Sequence, residues 1–220
     1  MFNKVAVMAG TPVDTKMGAD ILDEKKFEIS LCPISKTCDE QNDLQILSKK
    51  ELSHLVEDEI KALKEKKIEK LLVYCNSLSS IVDFNLFSKK YDIKIVTPYD
   101  AYKKIAKEIK SAIILAANSI STANIEEFIK SENKDVDFLT VGNLNLVYLI
   151  ENEKDKEMII KKAAIEEFIN FCENIKMRYD DKSLLLSCTH FPYIKEEIKK
   201  FTKTIKIMDL AMYMLKELER

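Results

Sequence analysis

Five cysteines, two histidines and a near-absence of arginine set the chemistry open to this chain. Cys75 is followed by Asn76 and Ser77, and Cys188 by Thr189 and His190, so each thiol opens a cluster of hydrogen-bonding side chains. Each of these cysteines also closes an apolar, strand-like run and precedes a helical pattern. A helix N-terminus lowers a thiol's pKa from its usual value of about 8.5 and makes thiolate available. Two thiols on opposite sides of one carbon can then act as a pair. One thiolate removes a proton from one face and the opposite thiol returns a proton to the other, which inverts a stereocentre without a cofactor. The remaining Cys32, Cys38 and Cys172 are read as buried small hydrophobes.

Other chemistries find little support. No Cys-x-x-Cys occurs, and an odd cysteine count without an export signal argues against a disulfide framework. Cys32 and Cys38 lie six apart, but His54 and His190 are the only histidines, so no metal site is expected. Neither Gly-x-Gly-x-x-Gly nor Gly-x-x-x-x-Gly-Lys-Ser/Thr is present, and none of the 33 lysines is marked as a Schiff-base residue. No cofactor is expected. The two arginines, Arg178 and Arg220, look peripheral. A substrate carboxylate would therefore be held by backbone N–H groups, hydroxyls, amides or a lysine rather than by a bidentate fork.

The elements that must position these residues follow from the rest of the chain. With 220 residues, 46% hydrophobic and 33% charged, it can bury a core of one large or two small domains. A net charge of −2 argues against a nucleic-acid partner, which would call for a basic surplus. The longest apolar run, Ala112 to Ala117, is far below the roughly 20 residues of a membrane span. Only five apolar residues, Val5 to Ala9, follow the N-terminal Met1-Phe2-Asn3-Lys4, too few for a secretory signal, so a cytoplasmic location is expected.

Strands are predicted at Lys4–Met8, Phe27–Cys32, Leu71–Tyr74, Ile93–Val96, Ala112–Ala116, Val136–Val141, Leu184–Ser187 and Ile205–Met208. Helical patterns lie between them, among them Leu47–Lys66, Tyr99–Lys110, Ile120–Ile129, Lys154–Ile175 and Tyr193–Lys200. Continuous apolar strands alternating with amphipathic helices predict an α/β fold of parallel sheets covered on both faces.

The chain also echoes itself. Lys70-Leu71-Leu72-Val73-Tyr74-Cys75-Asn76-Ser77 resembles Ser183-Leu184-Leu185-Leu186-Ser187-Cys188-Thr189-His190, 113 residues later. At nearly the same offset, Val5-Ala6-Val7-Met8-Ala9-Gly10-Thr11 resembles the stretch from Ala112 through Ala117 and Asn118 to Ser119. Two matching strand–turn units predict two similar lobes, each a helix-covered parallel sheet, with ligands bound beyond the carboxyl ends of the strands.

These motifs carry a family resemblance. Cys75-Asn76-Ser77-Leu78-Ser79 resembles the Cys-Asn-Thr-Ala-Ser motif of cofactor-independent glutamate racemases. Cys188-Thr189-His190-Phe191-Pro192 resembles their Cys-Thr-His-Tyr-Pro motif. Val147-Tyr148-Leu149-Ile150-Glu151 is similar to the segment ending in their active-site glutamate, with Tyr148 in place of a proline. Ile207-Met208-Asp209-Leu210-Ala211 resembles their last strand and its aspartate. The matches keep family order along the whole chain and point to the aspartate/glutamate racemase superfamily.

The resemblance implies two pseudo-twofold-related lobes, 1–98 with 206–220 and 99–205, and an active site in the cleft between them. It implies Cys75 and Cys188 as the two bases, with His190 and Glu151 assisting the second. It also implies substrate contacts from Asn76, Ser77, Ser119 and Thr189; Gly10 and Thr11, at the end of the first strand, are further candidate contacts by their position. The expected substrate is a small acidic amino acid, with no membrane partner; a homodimer is compatible with the sequence.

The first turn departs from the glutamate pattern. Ala9-Gly10-Thr11-Pro12 stands where Asp-Ser is usual, closer to the small-residue turn of aspartate racemases, and Asp14, Thr15 and Lys16 follow within reach. Gly10 and Gly18, two of only three glycines, bracket this loop. His190 instead favours the glutamate branch. Hydantoin racemases and maleate isomerases share the paired cysteines and remain alternatives, as does a non-catalytic ligand-binding relative.

Overall fold

The computed structural model describes residues 3–37, 40 and 47–220; Cys38 therefore lies outside the described residues. The chain forms two compact units, Met1–Ala101 with Ala211–Arg220, and Tyr102–Leu210.

In the first unit β1 (Asn3–Ala9), β2 (Phe27–Pro33), β3 (Lys70–Val73) and β4 (Lys94–Val96) form a parallel sheet of order β2-β1-β3-β4. In the second, β5 (Ser111–Ala116), β6 (Asp137–Gly142), β7 (Lys182–Leu186) and β8 (Lys206–Met208) repeat that order as β6-β5-β7-β8. The internal echo is thus a topological one. β1 corresponds to β5 and β3 to β7, the two inner strands of each sheet.

Burial explains the order. Val5 to Ala9 in β1 and Ala112 to Ala116 in β5 are almost wholly buried, as a strand covered on both faces must be. The edge strands are wetter: Leu31 of β2 is 53% exposed, and β6 is half-buried along most of its length.

Among the described residues before the crossover, the first unit carries helices α1 (Pro12–Asp20), α2 (Lys49–Glu65), α3 (Asn76–Ile81) and α4 (Phe84–Tyr91). α2 is opened by a Ser48/Glu51 capping box and buries Leu52, Val56, Ile60 and Leu63, one stripe at helical spacing. α5 (Pro98–Ile105) carries the chain across to the second unit, which holds α6 (Ser119–Glu132), α7 (Leu144–Asn152), α8 (Lys156–Lys162), α9 (Ile165–Asn174), a 3-10 turn (Phe191–Ile194) and α10 (Lys195–Lys199). α11 (Leu210–Glu219) returns the chain to the first unit. There Lys26 pairs with Glu219 at 3.1 Å and the Lys70 ammonium donates to the Leu218 carbonyl at 2.8 Å.

Three expectations are corrected. Residues 206–210 belong with the second unit, not the first, because β8 pairs with β7 and buries Ile205 and Met208 there. The helix expected over 154–175 is two helices. The break falls at Ala164, which takes a left-handed φ of 50° with no glycine or proline to announce it. The segment 193–200 begins inside the 3-10 turn, which Pro192 helps to open. Among the described residues, no helix is long and apolar enough to cross a membrane.

Candidate active site

The two cysteines occupy equivalent positions, each just beyond the third strand of its sheet. In the first unit, the register pairs Met8 with Val73, and Tyr74 N–H donates to the Met8 carbonyl at 2.7 Å. Continuing that register sets Gly10 abreast of Cys75. In the second, the register pairs Leu115 with Leu186, and Ser187 N–H donates to the Leu115 carbonyl at 2.8 Å. The same continuation sets Ala117 abreast of Cys188. Apart from Glu151, on the helix that follows edge strand β6, the candidate residues therefore lie at carboxyl ends of inner strands or just after them, where open α/β sheets place ligands.

Around Cys75 the first unit builds a rigid floor. Cys75 is the N-cap of α3 and is buried. Its carbonyl accepts from Ser79 N–H at 3.2 Å and from the Ser79 hydroxyl at 2.7 Å. Asn76 and Ser77 are the first two residues of that helix, Asn76 buried and Ser77 partly open. Gly18 of α1 lies under the residue before the thiol: a Cβ there would sit 2.7 Å from Tyr74 Cγ and 2.8 Å from Val7 Cγ1. Gly18 is thus a close-approach position.

The first loop is committed to its own helix. Thr11 caps α1, its hydroxyl accepting from Asp14 N–H at 3.4 Å. The Asp14 carboxylate accepts from Thr11 N–H at 2.7 Å, the Thr11 hydroxyl at 3.1 Å and Gly10 N–H at 3.3 Å. The Gly10 carbonyl takes the Ser35 hydroxyl at 2.6 Å and Ser35 N–H at 2.8 Å. Ser35 is a brace that no sequence signal identified. Lys16 pairs with Asp20 one turn along, with its side chain 59% exposed.

In the second unit three candidates come together. The Cys188 sulfur lies 3.6 Å from His190 Nδ1, and His190 Nε2 lies 2.8 Å from Glu151 Oε1. Cys188 and His190 are buried, and the Glu151 side chain is 10% exposed. A carboxylate acceptor fixes a proton on Nε2, which leaves Nδ1 to accept the thiol proton. The three side chains form one relay, from sulfur through imidazole to carboxylate.

Glu151 reaches His190 from α7, which Asn143 caps by accepting from Leu146 N–H at 3.0 Å. Ser119 is the first residue of α6, capped by Asn118 through Ser121 N–H at 2.8 Å. A Cβ on Gly142 would sit 2.6 Å from the Asn118 carbonyl carbon, so β6 ends against that turn only as glycine. Thr189 is buried between the thiol and the histidine in sequence.

The other cysteines behave as core. Burial first, and then the Glu59 carboxylate, push the Cys32 thiol up to about 12; burial pushes Cys172 up to about 11. His54 is on the surface. Among the described residues, no group of three His, Cys, Asp or Glu side chains could hold a metal ion. Arg178 and Arg220 are mostly exposed and paired with Asp135 and Glu217.

No protein-family model matches the chain. The glutamate racemase of Clostridium acetobutylicum is 23% identical over 178 residues, which is 80% of this chain and 68% of that protein. The chain thus spans about two thirds of that relative's length. A glutamate racemase isoform of Bacillus anthracis superposes with a TM-score of 0.77 at 16% identity, over 99% of this chain and 80% of that one. The aspartate racemase of Picrophilus torridus does so with a TM-score of 0.65 at 17% identity, over 99% and 94%.

Fold and site together define a two-unit parallel α/β protein with a cysteine beyond the third strand of each sheet. In sequence it is similar to glutamate racemases, and it shares its fold with solved glutamate and aspartate racemases.

Proposed function

We propose that the chain is a cofactor-independent amino-acid racemase acting on glutamate or aspartate. One thiolate of the Cys75/Cys188 pair takes the Cα proton. The C–H electron pair stays on the carbon and spreads into the adjoining carboxyl group. The other thiol delivers its proton to the opposite face, so the first sulfur ends protonated and the second ionised, ready for the reverse turn. The scheme requires both thiols to reach one substrate carbon.

The observation that carries this reading is the Cys188–His190–Glu151 relay at a strand end whose counterpart in the other sheet also bears a cysteine. Asn76, Ser77, Ser119 and Thr189 are the hydroxyl and amide groups available to hold carboxylates, in keeping with arginines that sit in surface pairs. Gly10 and Thr11 contribute through the shape of the first loop, since their amides already serve Asp14.

The test is incorporation of deuterium from D₂O at Cα, followed by NMR, with L- and D-glutamate, L- and D-aspartate, maleate and hydantoins. Exchange together with chiral inversion of an acidic amino acid supports the proposal. Turnover of maleate or a hydantoin alone, or binding without exchange, overturns it.

A further inference from the structure

The turn that carries Cys188 is held at three places by three different elements. At its start, Phe191 N–H donates to the Cys188 carbonyl at 3.0 Å and Tyr193 N–H to the His190 carbonyl at 3.1 Å. Glu151 of α7 holds the His190 ring. At the start of α8, the Lys156 ammonium lies 4.5 Å from the centroid of the Tyr193 ring. Lys195, the first residue after the 3-10 turn, then places its ammonium 2.7 Å from Asp209 Oδ2, just beyond β8. The pair is largely enclosed, with side chains 24% and 15% exposed, whereas Lys90, Lys162 and Lys199 in other pairs are about half exposed.

β8 is the neighbour of β7, and Met208 pairs with Leu185, so Asp209 lies abreast of Leu186, two residues before the thiol. The chain leaves the second unit directly after Leu210. Lys195 thus ties the far end of the turn to the adjoining strand end. A flexible loop after Cys188 would let the sulfur drift from Nδ1, and a misplacement of about 1 Å can cost on the order of a hundredfold in rate.

We infer that the Lys195–Asp209 ion pair is a positioning device for Cys188, holding its sulfur against His190. The inference rests on the reading that Cys188 is one of the two reacting thiols. Lys195 acts through the turn and touches neither sulfur nor substrate.

The chain contains two histidines, His54 on the surface and His190 in the relay, so imidazole ¹⁵N NMR of the histidine-labelled full chain reads the relay directly. Lys195→Met and Asp209→Asn are expected to shift and broaden the His190 ring resonances while those of His54 stay in place. For glutamate or aspartate, kcat is expected to fall about tenfold or more in both directions, with KM within about twofold. Lys195→Arg and Asp209→Glu, which keep the charges, are expected to restore both readouts.

Wild-type His190 resonances in folded Lys195→Met would overturn the inference. So would conservative variants as impaired as Lys195→Met. The NMR arm needs no turnover, so it decides the positioning claim even if the chain proves inactive on both amino acids.

Discussion

Serine at position 75 or 188 keeps the shape of the site but removes the ionisable sulfur, because an alkoxide is not available near neutral pH. Cys75→Ser and Cys188→Ser are each expected to reduce racemisation to background while leaving the thermal melt close to wild type. Either variant turning over at near wild-type rates in both directions would refute the two-base scheme. The cysteines should also separate by reactivity. Cys32 and Cys172 are buried thiols held at about 12 and about 11, so at pH 8 almost none of either is thiolate. Iodoacetamide treatment followed by peptide mass spectrometry should find both unmodified, with inactivation tracking Cys75 and Cys188 and slowed by substrate. Cys75 and Cys188 were singled out in the sequence because each is followed by polar residues in the same strand–turn context. The 3.6 Å and 2.8 Å spacings of the relay were not readable, because Glu151 is 39 residues from His190 and only the fold brings α7 over the turn.

Among elements, the first loop shows how a residue picked out for its place at a strand end can also hold the structure there. Thr11 stands at a strand end and so looks like a substrate contact, but its hydroxyl is spent on the capping box with Asp14. Thr11→Ala is therefore expected to cost about 0.5–2 kcal/mol, or roughly 2–4 °C in Tm per kcal/mol, with Thr11→Ser near wild type. Thermal unfolding checks it; an unchanged Tm with reduced kcat/KM would assign the hydroxyl to substrate instead. Gly18 is the same lesson in packing. An added methyl group would press on Tyr74 and Val7 at under 3 Å, so Gly18→Ala should destabilise by about 1–3 kcal/mol and, through Tyr74, disturb Cys75. Denaturant unfolding and residual activity measure the two effects. The helix break at Ala164, at a left-handed φ of 50°, had no such marker, because alanine favours helix.

At the scale of the whole molecule, the two units carry the same strand order, and loops far apart in sequence must be fastened to each sheet. Glu173, at the end of α9, does this for the segment before β8. Burial alone would raise its carboxyl, but hydrogen bonds from the Thr204 hydroxyl and from the amides of Lys203, Thr204 and Ile205 outweigh it. They hold it at about 2, against an ordinary 4.5. A depressed carboxyl stabilises the fold above its unfolded value and loses that contribution as pH falls from about 4.5 towards 2. Glu173→Gln should thus be less stable than wild type by roughly 1–2 kcal/mol at pH 7, a modest figure because the group is partly exposed. The gap should close on acidification, which urea unfolding across pH 7 to 3 would reveal.

The sequence by itself determined the α/β class, the eight strands and the repeat that pairs Cys75 with Cys188, because continuous apolar runs and their polar ends are local patterns. Tertiary structure decided which strand neighbours which, that β8 stays beside β7, and that Glu151, His190 and Cys188 form one relay. Those outcomes depend on side chains from distant segments competing for the same buried edge, and no local pattern records that competition.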